Sequence, residues 1–597
     1  MKKINKILNL LSSKERKNFY WLSLMILLMA FLEMIGIASI IPFIAVLSNP
    51  DIVDTNNFLK NTFQILNNFG IENKEQFLLI LGIFSFIFLI FSISFKALTL
   101  YSQARLTSMC EYSIGKRLVE NYLRQPYSWF LNRNSSSLGS NILSEVALVI
   151  NFGLTPLINL MAQSSVTLVI LTLLVLTDPK LALIVGITLG TSYGLIYKII
   201  NRYLSKISTE RFEYNRLRYK IISETFGAVK EIKLKGSERT YIDNFSESAK
   251  ILSQHKASGT IIGQMPRLVL ELIVFGGMFL IIFYLMSVSG NFMNSVPIIA
   301  LYAFAAYRLM PALQKVYSAI THLRLASPPL NSISDDLNNP NLPLKSSQKN
   351  DLTFHKEIRL NNIDYTYPKS SLVALENINL NIPSKSIVGI VGSTGSGKTT
   401  LVDIILNLLE PNHGTLEVDG CVINKDNYRA WQQLIGYVPQ QIYLTDNTIA
   451  SNIAFGVDKK DINYEAVENA AKISNLHNFI KNDLPLKYLT EVGERGVRLS
   501  GGQRQRIGIA RALYHNPKII VLDEATNALD QFTEMEVMKA VQNLKNKVTI
   551  IIVTHNLNIV KQCDNIFLLE KGKLISEGSF NKLFQTSQSF QKIASNL

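Results

Sequence analysis

The chain has 597 residues, of which 48% are hydrophobic and only 18% charged, and its formal charge is +15. A soluble protein is nearer a quarter charged, so part of this one is expected to lie in a membrane. Acids and bases nearly balance from about residue 350 onward. The positive surplus therefore sits in the first half, between apolar runs, which marks cytoplasmic membrane flanks and argues against a nucleic-acid groove or partner. Three scattered cysteines, Cys110, Cys421 and Cys563, fit neither a disulfide framework nor a zinc spacing.

Residues 1–18 form a basic leader on the cytoplasmic side. The run 19–47 follows, apolar except for Glu33. It is too long for a signal peptide's apolar segment and no small-residue cleavage site follows, so it is expected to stay as a membrane span. Further spans are expected at about 77–101, 150–177, 180–200, 261–286 and 295–320. The loop Ser48–Gln76 carries Phe58, Phe63, Leu66 and Phe69 near helical spacing. It is either a short amphipathic helix or an ordinary packed loop. Lys and Arg crowd the leader and the long polar segments after the second and fourth spans, whereas 287–296 has no base. That asymmetry predicts six transmembrane helices within 19–326 and both termini in the cytoplasm.

Ionisable residues inside the spans cost about 2.5–3.5 kcal/mol each at a helix centre. Arg267, Arg308 and Lys96 are candidates for a cationic cavity that takes an anionic cargo. The other reading is pairing between helices, or snorkelling at helix ends.

Residues 327–352 are rich in Pro, Ser, Asn and Asp, and read as a linker. From 353 to 597 the pattern becomes that of an α/β domain with a mostly parallel sheet. Gly392-Ser393-Thr394-Gly395-Ser396-Gly397-Lys398-Thr399-Thr400 follows a β-rich apolar run and opens a helix. Glycines there let backbone N–H groups wrap phosphates, and the helix start adds a favourable dipole. Lys398 is placed to reach the terminal phosphates of ATP, and the Thr399 hydroxyl to ligate Mg²⁺. The apolar run from Ile519 ends in Asp523 and Glu524. Asp523 is placed to hold Mg²⁺ through water, and Glu524 to polarise the attacking water. Leu499-Ser500-Gly501-Gly502-Gln503 precedes a helix expected at Arg504–His515 and forms a second anion cradle.

The order of phosphate loop, Leu-Ser-Gly-Gly-Gln, strand-Asp-Glu and His555 resembles the ATP-binding cassette (ABC) transporters. Six spans ahead of one cassette resemble the exporter half-transporters. The resemblance implies that Tyr367 stacks on adenine, that Gln440 touches Mg²⁺ and that His555 contacts the γ-phosphate. It also implies that Glu491-Val-Gly-Glu-Arg-Gly496 meets coupling helices near Gln125–Ser137 and Lys235–Ser248. Asn527-Ala-Leu-Asp530 departs mildly from the family's Ser-Ala-Leu-Asp. In that geometry Leu499–Gln503 and Asp530 serve the ATP bound by a second copy, which implies a homodimer.

Three local stretches are similar to bacterial lipid-linked oligosaccharide flippases: Phe31–Ile37 with Pro42-Phe-Ile44, Pro126–Asn132 with Asn134-Ser135, and Tyr307–Pro311. They imply an ATP-hydrolysing translocase of the bacterial inner membrane that moves an amphipathic, anionic lipid-linked saccharide. A multidrug, lipid A-type or peptide exporter is the alternative.

Overall fold

The computed structural model divides into two units, Met1–Gln125 with Arg133–Asn341, and Pro126–Asn132 with Leu342–Leu597. It describes residues 2–48, 50–68, 73–177, 179–288, 296–338, 352–368, 370–525, 534–536, 538–539, 544–554 and 556–596.

The first unit is helical throughout its described residues. Helix α1 (Lys2–Leu10) buries Ile7 and Leu10. Its Lys6 donates to Asn331 at 2.8 Å. Ser12 and Glu15 then form a reciprocal cap, with Ser12 N donating to Glu15 at 2.7 Å, and start α2 (Ser13–Ala38). The first apolar run is not one helix. It breaks at Ser39 and resumes as α3 (Ile40–Ser48), with Pro42 in the first turn, where no backbone donor is needed. Ser85 satisfies the carbonyl of Ser39 at the break, at 2.8 Å.

After α4 (Ile52–Thr55) and α5 (Asn57–Asn67) comes α6 (Lys74–Leu123). Asn56 caps α5 by accepting from the amides of Phe58 and Leu59. Leu59 is buried in a cluster with Val46, Val53 and Phe77, against which Phe63 and Leu66 pack. The loop Ser48–Gln76 thus carries the amphipathic helix; Phe69 lies outside the described residues. At 50 residues, α6 is about 75 Å long, far more than the ~30 Å hydrocarbon core. Its Ile83, Phe84, Phe86, Ile87 and Phe91 are exposed, as lipid-facing side chains are.

The chain continues through α7 (Tyr127–Phe130) and α8 (Ser135–Ser140), then two π-helical turns, Asn141–Glu145 and Ile150–Leu154, separated by α9 (Val146–Val149). Next come α10 (Thr155–Thr177), α11 (Pro179–Gly227), α12 (Val229–Lys235), α13 (Glu238–Val288), α14 (Val296–Leu325) and α15 (Ser327–Asn338). Among the described residues, Ser13–Gly36, Lys74–Leu123 and Ser135–Leu176 are long and apolar enough to cross a membrane. The runs expected at 180–200, 261–286 and 295–320 fall on α11, α13 and α14, many of whose side chains lie outside the described residues.

The chain breaks at Ala228 and again at Gly236, whose φ of +60° ends α12. Within the expected linker 327–352, Pro328 and Pro329 open a helix. They occupy the first turn of α15, which Leu330 and Ile333 hold by burial.

The second unit is a two-sheet α/β domain. Strands β1 (Glu357–Thr366), β2 (Val373–Pro383), β4 (His413–Val418) and β5 (Cys421–Val422) form an antiparallel sheet in the order β2-β1-β4-β5. Strands β3 (Ile387–Gly392), β6 (Ile435–Val438), β7 (Ile519–Asp523), β8 (Thr549–Val553), β9 (Asn565–Glu570) and β10 (Lys573–Gly578) form the other, in the order β10-β9-β3-β8-β7-β6. All its neighbours pair in parallel except β9 and β10. Strands β7 and β8 are buried at every position, which is why they read as unbroken apolar runs. Helix α16 (Lys398–Ile405) joins the core through Leu401, Val402, Ile404 and Ile405.

Candidate functional site

The carboxyl ends of β3 and β7 carry the candidate residues. In an open parallel sheet, ligands bind at such ends. Strand β3 finishes at Gly392, where an added Cβ would stand 2.3 Å from the carbonyl oxygen of Leu569. Gly397 has φ +102°, and a Cβ there would meet Leu375 at 2.8 Å. No other residue fits either place. Within the loop Lys398 folds back, and its Nζ donates to the carbonyls of Gly392 and Ser393 at 2.9 Å each. Burial lowers the Lys398 pKa, and the carboxylates of Glu524 and Asp523 oppose that shift. Ser396 Oγ is buried in the same cradle without a hydrogen-bond partner.

Asp523 ends β7 and is 5% exposed. Burial raises its pKa, as does the charge of Glu524. Its carboxylate accepts from Tyr437 on β6 at 3.5 Å. Glu524 has φ +49°, an uncommon conformation for a side-chain-bearing residue, and its amide is held by the carbonyl of Val553 at 2.9 Å. Gln440 Nε2 donates to Glu524 Oε2 at 2.7 Å. The structure therefore gathers Lys398, Asp523, Glu524 and Gln440 into one place. Tyr367 is half-buried, and its hydroxyl lies 3.0 Å from that of Thr400.

Leu499–Gln503 opens a helix of its own in this unit. Its helix begins at Gly501 and ends at Leu513, three residues earlier than expected at its start, because Ser500 caps it. Gln503 N donates to Ser500 Oγ at 3.2 Å, and Ser500 N donates to Gln503 Oε1 at 2.8 Å. Arg511 anchors this helix, with Nε on the carbonyl of Asn452 at 2.9 Å and its guanidinium over Phe455. His555 and Asp530 lie outside the described residues, as do the side chains of Arg267 and Arg308. Lys96 pairs with Glu33 at 2.6 Å, so its charge is matched by a carboxylate that is 6% exposed.

Two residues escaped the sequence reading. Tyr437 is visible beside Pro439 and Gln440, yet only the sheet order β7-β6 brings it to Asp523. Asp403 lies on α16, 9% exposed. Burial, with the charge of Asp523 added, pushes its carboxyl up to about 6 from 3.8. The folded protein then holds a proton that the unfolded chain releases between these values. Stability conferred at low pH is lost as pH rises through about 6. Asp403→Asn is expected to raise the unfolding temperature at pH 7.5 by a few degrees and to change it little near pH 4. A less stable variant at pH 7.5, by differential scanning fluorimetry of the full chain, would contradict this environment.

Fold and site together define a membrane protein that carries a phosphate-loop ATP-hydrolysing domain. The family profile described as ABC transporter matches residues 375–527. The profile described as ABC transporter transmembrane region matches residues 55–312. A mouse relative, ATP-binding cassette sub-family B member 10, mitochondrial, is 30% identical over 487 residues, 78% of this chain and 66% of that protein. The ATP-dependent lipid A-core flippase of Cupriavidus metallidurans is 28% identical over 475 residues, 78% of each chain. A solved structure described as a bacterial Atm1-family ABC exporter with ATP bound has the same fold, with a TM-score of 0.79 and 20% identity over 97% of this chain and 98% of its own. The chain belongs to the ABC transporters, has the exporter fold, and is an ATPase coupled to transport.

Proposed function

We propose that two copies of this chain form a pump in the bacterial inner membrane, both termini cytoplasmic, that flips an amphipathic, anionic lipid-linked saccharide. The observation that carries the ATP-driven reading is the grouping of Lys398, Asp523, Glu524 and Gln440 at the ends of β3, β6 and β7. Lys398 faces the terminal phosphates of ATP across a wrap of backbone amides from Gly392 to Thr400, and Tyr367 faces the adenine. Glu524 takes the proton of the attacking water, with Gln440 steadying its carboxylate. Thr399, Gln440 and Asp523 would hold Mg²⁺, partly through water, and that ion draws charge from the phosphate oxygens when bound. The buried, oxygen-rich end of β7 suits such a hard cation. His555 takes the family's role of contacting the γ-phosphate.

Ser500, Gly501 and Gly502 open a helix whose cap bonds stay within its own segment. Each ATP is then sandwiched between one copy's phosphate loop and its partner's Leu499–Gln503 and Asp530. ATP binding draws the cassettes together and turns the spans outward, and hydrolysis resets them.

Arg267 and Arg308 supply the positive charge for the cargo's phosphates. Lys96 joins them only by leaving Glu33. A lipid A-like cargo is the second reading, favoured by the names of relatives 27–28% identical to this chain. The test is a proteoliposome flipping assay with a fluorescent polyprenyl-pyrophosphate saccharide, lipid A and a neutral drug. Arg267→Ala with Arg308→Ala is expected to slow the pyrophosphate cargo about tenfold or more, as losing a charge-assisted contact does. Equal slowing of the neutral drug would remove the case for an anionic cargo.

A further inference from the structure

The chain passes between its two units at three points, after Gln125, after Asn132 and after Asn341. Residues flanking all three crossings meet at one buried carboxylate in the first unit. Asp336, near the end of α15, is 6% exposed. Its Oδ2 accepts from the Tyr122 hydroxyl at 2.6 Å and from Asn141 Nδ2 at 3.0 Å. Its Oδ1 lies 3.3 Å from Arg133 Nη1. Its main-chain carbonyl accepts from Asn121 Nδ2. Asn141 Nδ2 also reaches the Tyr122 oxygen, at 3.3 Å.

Each partner sits at a telling place in the chain. Asn121 and Tyr122 close α6, just ahead of Pro126–Asn132. Arg133 is the first residue after that segment, and Asn141 opens the first π-helical turn. Such wide turns are rare and frequent at functional sites. Asp336 stands five residues ahead of the crossing into the cassette. A carboxylate has lone-pair sites for about four donors, and this one takes three from separate segments. Charge-assisted bonds in a dry interior are strong, and a buried partner left unmade is costly. Three donors on one buried carboxylate tie these segments together.

We propose that Asp336 is a positioning residue for coupling: it locks the exit of α6, the entry of α8 and the end of α15 together, so that displacements delivered at all three crossings reach the membrane helices as one movement. This rests on the reading of the chain as an ATP-driven pump. It predicts that removing the charge separates hydrolysis from movement. A carboxylate serving only as a packing staple would lower stability without that separation.

The test uses the full-length protein in lipid nanodiscs, with amide hydrogen exchange read with and without ATP in a Glu524→Gln background. In that background, ATP should alter exchange both in the cassette and in the outer segment Ile52–Asn67. With Asp336→Asn added, the cassette response should persist while the outer response falls about fivefold or more, the size of an ordinary coupling energy. With Glu524 intact, Asp336→Asn should keep the KM for ATP and most of kcat. Tyr122→Phe keeps the ring and loses the hydroxyl's bonds to Asp336 and Asn141 while leaving the carboxylate its other donors, and should give a smaller loss of the same kind; it carries the test if Asp336→Asn does not fold. An undiminished outer response in both variants would overturn the proposal, as would equal loss in cassette and outer segment. No outer response in the Glu524→Gln background alone would instead overturn the pump reading, and the inference with it.

Discussion

Glu524→Gln is expected to lower steady-state ATP turnover by about 10³-fold, in the middle of the range for removing a general base. The substitution is nearly isosteric. Its amide oxygen can still accept from Gln440 Nε2, which now donates to Glu524 at 2.7 Å. The amide of residue 524 keeps its bond to the carbonyl of Val553. The positive φ of +49° suits Gln no worse than Glu. Geometry and nucleotide binding should therefore survive, and only the proton acceptor is lost. ATP affinity, measured by titration with a fluorescent analogue, should stay within about threefold, because no binding contact is removed. Two copies should accumulate in a closed, ATP-bound form. Turnover near that of the parent would show that Glu524 is not the base. Lost binding would place it among the nucleotide contacts.

Trp431→Ala should be the most damaging single change to the cassette's stability. Trp431 is fully buried. Its indole N–H donates to the carbonyl of Ile405, at the end of α16, at 2.8 Å. Its ring meets Phe354 edge-on at 6.4 Å between centroids. Truncation removes a large apolar body, leaves a cavity and strands the Ile405 carbonyl, for a loss of about 3–5 kcal/mol. In a domain of this size that corresponds to roughly 10 °C in the cassette's calorimetric transition. Trp431→Phe keeps most of the packing and loses the bond, so about 1–3 kcal/mol is expected. If both variants unfold with the parent, the residue is not holding α16 against the core.

Much of the site was readable in advance because its parts are local. Gly392 to Thr400 carries its function in backbone shape, and a run of glycines around one lysine declares it. Ile519 to Glu524 is apolar because β7 is buried at every position, and its acids stand out for that reason. The helix after Leu499 began earlier than expected because the signal for its start is the cap. Ser500 and Gln503 are three residues apart and bond reciprocally, so the glycines between them are already helical. Pro328 and Pro329 open α15, since a proline pair is tolerated at a helix start, and the division between the units follows within the same 327–352 stretch, after Asn341.

Composition and local pattern by themselves determined that this chain has apolar spans followed by a phosphate loop, a Leu-Ser-Gly-Gly-Gln helix start and a strand ending in two acids. They could do so because hydrophobic runs and backbone-shaping residues act over a few positions. Only the tertiary structure decided that Lys96 faces Glu33, that Tyr437 reaches Asp523, and that Tyr122, Arg133 and Asn141 converge on Asp336. Those partners lie tens to hundreds of residues apart. A buried charge chooses its partner by which helices and strands pack side by side, and no short stretch of sequence encodes that choice.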